Sequence, residues 1–363
     1  MVVPVGNNGL QAAGVAAAVR DQPGSPIVYC GAGDGTTQEG EFLEACAEAV
    51  RSRLPVLFVV QNNQYAISTP TAGRTFYSLP DGANNQFFGM PIRFVDGRQA
   101  VQAYQAFGEV VADMRQHRGP ALIVLEVERL SSHTNADDHS IYRSADDIAR
   151  CRQTGDPIPI FERWLLEQGW NEAELAEVRQ EIDLAIAQAD EESIFGADPE
   201  PEFEAKRPLK VELTHPSRER RGSGDGLQLI MRDAIKEVLR DHLRNDPRVF
   251  LLGEDIEDPK GDVFGVTRGL STEFPGRVVN AALTESTIIG GAIGRALVGQ
   301  RPVAFIQFAD FLLPGYNQLV SELAMLYWRC AGQWNAPVIL MIACGGYRPG
   351  LGPYHAQTLE SVI

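Results

Sequence analysis

The amino-acid sequence predicts an α/β protein built from two parallel-sheet domains that a helical tail and a linker join. Three observations predict it. Short apolar runs alternate with helical periodicity from residue 27 to residue 127, the same alternation resumes at Leu227, and the stretch between them carries helical periods and then no apolar period. Strand–helix alternation requires crossover connections, which pair neighbouring strands in parallel and layer helices on the sheet. A chain of 363 residues also exceeds one core at roughly 150 residues per domain. The expected boundaries are 1–143 for the first domain, 144–195 for the helical tail, 196–226 for the linker and 227–363 for the second domain.

Composition narrows the class. Hydrophobic residues make up 44% and charged residues 22%, as in globular chains, and no apolar run approaches the roughly 20 residues of a membrane helix. A formal charge of −16 argues against a nucleic-acid partner, because such surfaces cluster Lys and Arg. The five cysteines, Cys30, Cys46, Cys151, Cys330 and Cys344, show neither a Cys-x-x-Cys pair nor metal-ligand spacing, and an odd count fits a reducing compartment. With no secretory signal visible, the expected location is cytoplasmic.

In chain order, residues 1–8 run into an alanine-rich helix at 9–19 with no strand before it, so the sequence reads as opening inside a domain. Residues 27–69 follow as strand, glycine turn, helix and strand. The apolar Ile27-Val28-Tyr29-Cys30 stops at Gly31-Ala32-Gly33-Asp34-Gly35, helical spacing fills 39–51, and Leu54 to Val60 is a buried-strand run. A right-handed crossover brings both strand ends to one edge of the sheet, so Asp34 and the pair Asn62-Asn63 face one crevice. Asp34 offers a carboxylate, Asn63 an amide oxygen, and the turn beyond it the carbonyl of Tyr65. Three hard oxygens suit magnesium, which shares its sphere with phosphates and water, and Gly33 and Gly35 let the backbone approach a diphosphate. Two other readings stand beside this one: a dinucleotide fingerprint, although its third glycine and ribose-binding acid are missing, and plain strand-capping turns.

Residues 74–89 read as a polar loop dotted with aromatics, and a strand at 91–97, a helix at 99–117 and a strand at 120–127 complete the first sheet. Glu128 to Arg143 is too polar and too long for a tight connection, and long loops at strand ends are often functional. Helices starting at Ser144, at 159–169 and at 172–192 make the tail. Residues 196–226 lose all apolar period, and their basic run Arg218-Glu219-Arg220-Arg221 reads as a solvated patch. The second sheet comprises a helix at 227–243, strands at 249–252, 278–283, 303–308 and 337–344, and helices at 284–298 and 316–330. Glu285 stands where a strand gives way to a glycine-rich helix. Alone, it reads as a helix cap or as an acid held by the helix amino terminus.

Gly33-Asp34-Gly35 followed by an Asn pair, with Asn63 lying 29 positions beyond Asp34, resembles the thiamin diphosphate motif. Together with the tail, the linker and a strand ending in Glu285, the order resembles the dehydrogenase (E1) component of 2-oxo acid dehydrogenase complexes, with α and β subunits fused, nearest the branched-chain (2-oxoisovalerate) type. SSHTNADDHSIYRS, Ser131 to Ser144, is the most family-specific stretch. The resemblance implies two thiamin diphosphate-binding domains, one for the diphosphate and magnesium, the other for the pyrimidine ring. It implies Asp34, Asn63 and the Tyr65 carbonyl as magnesium ligands, with Gly33 and Gly35 beside the diphosphate. Glu285 would bond N1′ of the pyrimidine; Leu283, Gln307 and Phe311 would line the cofactor pocket, and Val5 would be the apolar wedge beneath the cofactor. His133 and His355 match the active-site histidines, which steady a carboxylate and carry protons near neutral pH, whereas His117 and His139 read as ordinary imidazoles.

The activity so implied is oxidative decarboxylation of a 2-oxo acid, with the branched-chain type favoured and pyruvate also open, and acyl transfer to a lipoyl-bearing acyltransferase (E2) by a homodimer of the fused chain. Family α chains carry an upstream segment that grips the diphosphate, and family β chains a further carboxyl-terminal domain. Measured against them, the sequence is expected to be truncated at both ends, and Ser132 replaces a common second histidine. Two alternatives remain at this level. A transketolase-like or deoxyxylulose-phosphate synthase-like enzyme has the same domain order but needs basic residues for a sugar phosphate, and the HTNADDHSIYR loop speaks against it. A non-catalytic remnant would act only in assembly.

Overall fold

The computed structural model describes residues 4–198, 215–218 and 226–359. Val3, most of the expected linker and the Glu219-Arg220-Arg221 part of the basic run lie outside the described residues. The chain divides into two compact units, one of Met1–Val95, Phe107–Leu125 and Ser223–Ile363, the other of Asp96–Ala106 and Glu126–Gly222. Both expected sheets thus fall within a single unit.

In that unit, α1 (Asn8–Val19) precedes β1 (Val28–Gly33), and α2 (Gly40–Arg51) leads to β2 (Val56–Asn62). Val56 to Val60 are all buried, as expected of a strand covered on both faces. β1 and β2 pair in parallel with Gly33 opposite Gln61, so Asp34 and Asn62 leave the sheet at the same level. Two small antiparallel pairs follow, β3 (Tyr65–Ala66) with β4 (Thr69–Pro70) and β5 (Ser78–Leu79) with β6 (Gly82–Ala83). Next come β7 (Gln86–Phe87), β8 (Met90–Asp96), α3 (Ala100–His117) and β9 (Ala121–Glu126). The strand order is β1-β2-β9-β8-β7.

At its edge the first sheet carries an antiparallel pair, β7 with β8. Phe88 and Gly89 both take positive φ, 49° and 83°, and so close a two-residue hairpin that period reading does not detect. Leu10, Phe42, Phe58, Tyr77 and Leu122 form the core of this layer, with the Phe42 and Phe58 rings edge-on at 5.5 Å.

The second sheet is parallel throughout, in the order β11-β10-β12-β13. Its elements are α7 (Met231–Asn245), β10 (Val249–Gly253), α8 (Leu270–Glu273), β11 (Val278–Asn280), α9 (Glu285–Leu297), β12 (Arg301–Ile306), α10 (Met325–Arg329) and β13 (Ile339–Ile342). Leu251, Val303 and Phe305 pack beneath α7, whereas Phe250, Leu252, Ala304 and Ile306 pack against Ile288 and Ala292 of α9, the alternation that a strand period of two imposes. The expected helix at 227–243 begins only at Met231, and Leu227, Leu229 and Ile230 are exposed. The helix expected at 316–330 is a π-helical run, Gln318–Ala324, continued by α10. That run buries Gln318 and Glu322, whose partners come from the far end of the sequence: Gln318 Nε2 donates to the Asn7 carbonyl at 3.1 Å, and Glu322 accepts from Asn7 at 2.9 Å and Gln11 at 2.8 Å.

Helix α1 crosses α9 with backbone against backbone. A Cβ at Gly14 would lie 2.3 Å from the Gly291 oxygen, and one at Gly294 would lie 2.0 Å from the Gln11 oxygen. Only residues without side chains permit that approach.

The other unit holds the helical tail, α4 (Ala145–Thr154), α5 (Pro157–Glu167) and α6 (Glu172–Phe195). Each start carries its cap: Ser144 Oγ accepts from the Asp147 N–H, Asp156 from Ile158, and Asn171 closes a capping box with Glu174. Among the described residues no helix is long and apolar enough to cross a membrane.

Candidate active site

Asp34 follows β1 and is buried, 3% exposed. Thr71 Oγ1 donates to Asp34 Oδ2 at 2.8 Å, and Thr37 Oγ1 donates to the Asp34 carbonyl at 2.7 Å. At the end of β2, the two asparagines form nested turns: Asn62 Oδ1 accepts from the Gln64 N–H at 3.2 Å and Asn63 Oδ1 from the Tyr65 N–H at 3.0 Å. Gln64 takes φ +67° to make the bend, and the buried Tyr77 hydroxyl reaches Asn62 Oδ1 at 3.4 Å. These bonds fix the orientation of both amides.

The two strand ends touch. A Cβ at Gly35 would lie 2.7 Å from the Ala66 Cβ, whereas a Cβ at Gly33 would meet only Thr36 Oγ1, at 3.8 Å. Gly35 is therefore demanded by packing, and Gly33 leaves open room over the backbone. Among the described residues no group of three or more His, Cys, Asp or Glu is placed to hold a metal. A cation at this edge would rest on one carboxylate, one amide and one carbonyl, a donor set that fits a magnesium ion completed by phosphate oxygens and water.

Glu285 is the first residue of α9 and is half-buried. Glu254, immediately after β10, is 6% exposed. Burial pushes its carboxyl up to about 7, helped by the charges of Glu285 and Asp255. Burial likewise raises Glu44 on α2, countered by the Thr287 hydroxyl and reinforced by Glu41 and Glu285. Glu254 Oε1 and the Thr284 hydroxyl are buried without a hydrogen-bond partner, and such orphans are rare in folded proteins. An aminopyrimidine, which presents both donors and ring acceptors, is the kind of group that would satisfy an acid beside an unpaired carboxyl and hydroxyl.

Gln307 follows β12 and is 8% exposed; its Nε2 donates to the Glu254 carbonyl and its Oε1 accepts from the Val263 N–H at 3.3 Å. The His355 ring sits edge-on to Phe308 at 5.1 Å and to Phe311 at 5.2 Å. The fold therefore gathers Gln307, Phe311 and His355 around Phe308, next to the carbonyl of Glu254. Two expected cofactor contacts are not packed: Val5 is 50% exposed and Leu283 82% exposed.

His133 belongs to the other unit, in the loop that follows β9, and is exposed. The loop is tied beneath it. Asp137 Oδ2 accepts from the His133 N–H at 2.8 Å and from the Tyr142 hydroxyl at 2.7 Å, while Arg129 donates to that hydroxyl at 3.1 Å. Arg143, with 1% of its side chain exposed, donates to the Arg129 carbonyl at 2.8 Å, to Asp147 at 2.8 Å and to Cys151 Sγ at 2.9 Å. His139 is buried against Arg143, its Nδ1 3.4 Å from Nη1, a structural position.

Thr71, Tyr77, Glu254 and Phe308 are site residues that sequence reading passes over. Glu254 carried a usable signal, since it ends an apolar strand as Asp34 does, whereas Thr71 reaches Asp34 only through the hairpin β3–β4.

Fold and site together define a two-sheet α/β protein with Asp34 and the Asn62-Asn63 turn at one edge of one sheet and an acid-led helix on the other. The family model for the dehydrogenase E1 component matches residues 2–202, and that for the transketolase pyrimidine-binding domain matches residues 228–362. The chain belongs to the dehydrogenase E1 component family. It is 35% identical over 229 residues to the 3-methyl-2-oxobutanoate dehydrogenase subunit alpha of Mycobacterium tuberculosis, covering 59% of this chain and 62% of that one. It is 41% identical over 132 residues to the 2-oxoisovalerate dehydrogenase subunit beta of Bacillus subtilis, 36% of this chain and 40% of that one. The pyruvate dehydrogenase E1 component subunit alpha of Staphylococcus aureus is 35% identical over 196 residues, 51% of each chain. The chain thus joins alpha-like and beta-like parts while spanning under two thirds of the length of these relatives.

Proposed function

We propose that the protein is a thiamin diphosphate-dependent 2-oxo acid dehydrogenase E1 component of branched-chain type, which decarboxylates its substrate and passes the acyl group to a lipoyl-bearing acyltransferase. The single observation that carries this reading is the register of β1 and β2, which brings buried Asp34 and the Asn62-Asn63 turn to one sheet edge beside Gly33 and Gly35. Asp34, Asn63 and the Tyr65 carbonyl would hold magnesium, and through it the diphosphate. Glu285 would bond the pyrimidine ring. When bound, thiamin diphosphate supplies the nucleophilic carbon and the electron sink that decarboxylation requires.

The chain's own residues position and protonate. Glu285 stands at the first turn of α9, at the helix amino terminus, where its carboxyl group would hydrogen-bond a ring nitrogen. Phe308 and Phe311 flank His355 edge-on and give it an apolar wall on one side, which suits a positioned proton donor and carboxylate clamp. His133, exposed on a loop pinned by Arg143, is the second histidine proposed for proton transfer. A homodimer of the chain and a cytoplasmic location complete the reading, supported by the family and by the cysteine pattern.

The deciding experiment is a magnesium-dependent calorimetric titration of thiamin diphosphate into the wild type and Asp34→Ala, with release of labelled carbon dioxide from 3-methyl-2-oxobutanoate as the activity readout. Binding that requires magnesium and disappears in Asp34→Ala is expected. Equal binding in both proteins would overturn the anchor.

A further inference from the structure

A cavity in the two-sheet unit carries an unexpected charge. It has a volume of about 430 Å³ and lies between α1, α9 and the strands β10 and β11, lined by Arg20, Arg277 and Arg295 together with apolar atoms of Leu10, Phe250 and Val279. Asp21 and Glu48 line it too, so in a chain of net charge −16 the three guanidinium groups leave the cavity with a local excess of positive charge.

The arginines differ in how they are held. Arg277 is spent on structure, donating to the carbonyls of Leu243, Asp246 and Val249. Arg20 pairs loosely with the exposed Asp21 at 3.4 Å and donates to the Ser52 carbonyl at 3.3 Å. Arg295 is half-buried on α9, its guanidinium 3.9 Å from the centre of the Phe250 ring. Its one protein hydrogen bond goes from Nη1 to Gln300 Oε1 at 3.0 Å, and among the described residues no carboxylate lies within ion-pair distance of it. Glu48, the acid nearest in kind, is taken by Arg51 and Ser52.

A guanidinium placed over an aromatic ring keeps its remaining N–H donors for a further partner, in the fork that matches a carboxylate or phosphate. Burial and the neighbouring Arg20 charge push Arg295 down to about 10, so an anion arriving there would relieve both desolvation and repulsion. The cavity is of small-metabolite size, and its apolar lining beside the fork asks for an apolar body behind the charge.

We propose that this cavity is a binding site for a small organic oxyanion, recognised by the free edge of Arg295 with Arg20 at the mouth, and separate from the diphosphate anchor at Asp34.

The test is calorimetric titration of the full chain with inorganic phosphate and with isovalerate, at constant ionic strength in chloride. Wild type, Arg295→Met, Arg20→Ala and Asp34→Ala are compared. Arg295→Met keeps a flexible apolar stem over Phe250 while removing the fork. Saturable binding of at least one probe is expected in the wild type and Asp34→Ala, with a loss of tenfold or more in Arg295→Met and a smaller loss in Arg20→Ala. Isovalerate binding more tightly than phosphate would assign the site to carboxylates with an apolar body, and the reverse order to phosphate esters. Loss in Asp34→Ala with retention in Arg295→Met would overturn the proposal by placing the anion at the diphosphate anchor. Absence of saturable binding of either probe to the wild type would overturn it as well. Should Arg295→Met fail to fold, Arg20→Ala decides: unchanged affinity there rejects the site.

Discussion

Glu254 is buried beside Glu285, and the two carboxyl groups reach the same site from different elements, the end of β10 and the start of α9. The Glu254 carboxyl titrates near 7 instead of its ordinary 4.5, through burial first and the Glu285 charge second. Between those values the folded chain keeps a proton that the unfolded chain has released. The stability tied to this proton is complete below pH 4.5 and declines as the pH rises to 7. The shift corresponds to up to about 3 kcal/mol. Glu254→Gln holds the group neutral, so its stability relative to the wild type should grow between pH 4.5 and pH 7.5. Urea unfolding at the two ends of that range measures it, and a difference independent of pH would refute the assignment.

Gly35 is expected to be intolerant of a side chain for a reason local to the anchor. The added Cβ of Gly35→Ala would come within 2.7 Å of the Ala66 Cβ, forcing the Asp34 turn and the Asn63 turn apart. A small clash of this kind costs about 1–3 kcal/mol, and the larger effect should be on cofactor: magnesium-dependent thiamin diphosphate binding should weaken at least tenfold. Gly33→Ala, whose Cβ has room, should fold with wild-type stability and compete with the diphosphate alone.

Helix crossing gives a second steric prediction, one of stability. Gly14→Ala places its Cβ 2.3 Å from the Gly291 oxygen and Gly294→Ala places its own 2.0 Å from the Gln11 oxygen. Both neighbours are backbone, so the helices themselves must move. Each variant should lose about 2–3 kcal/mol or more, and because both strain the same crossing the double variant should lose less than the sum. Denaturant midpoints at pH 7 check this.

In the loop that carries His133, Arg143→Met removes a buried guanidinium that serves the Arg129 carbonyl, Asp147 and Cys151 at once. Breaking a buried charged network from one side costs about 3–5 kcal/mol. The loss should be felt in this unit, as faster amide exchange and proteolysis between Arg129 and Ser144, with thiamin diphosphate affinity at Asp34 unchanged.

His355→Gln tests the assignment of chemistry against mere packing. Gln preserves polarity but cannot exchange a proton near neutral pH, so decarboxylation should fall by about 10²–10⁴-fold, the usual yield of general acid–base catalysis, while cofactor affinity holds. A parallel fall in affinity would mean that His355 serves the wall formed with Phe308 and Phe311 and not the reaction.

What was legible in the sequence was whatever rests on local rules. The unbroken apolar run from Leu54 to Val60 announced a buried strand, Ser144 announced a helix start that its bond to the Asp147 N–H bears out, and the spacing of Asp34 from Asn63 pointed to the two turns that the β1–β2 register brings level. Partners distant in sequence were not legible. Nothing near Asp34 points to Thr71, nothing near Gln318 points to Asn7, and the hairpin that ends the first sheet depends on positive φ at Phe88 and Gly89.

By itself, then, the sequence determined two α/β sheets, the turns at Asp34 and Asn62-Asn63 and the acid at the head of a glycine-rich helix, because strand and helix periods and turn chemistry act over a few residues. The tertiary structure alone decided that both sheets belong to one unit, that Gly14 and Gly294 let α1 and α9 meet backbone to backbone, and that Arg295 lines a cavity without a carboxylate partner among the described residues. Those outcomes depend on burial and on which atoms the fold brings together, and a group's charge and hydrogen-bonding needs acquire their energetic weight only when water has been removed from around it.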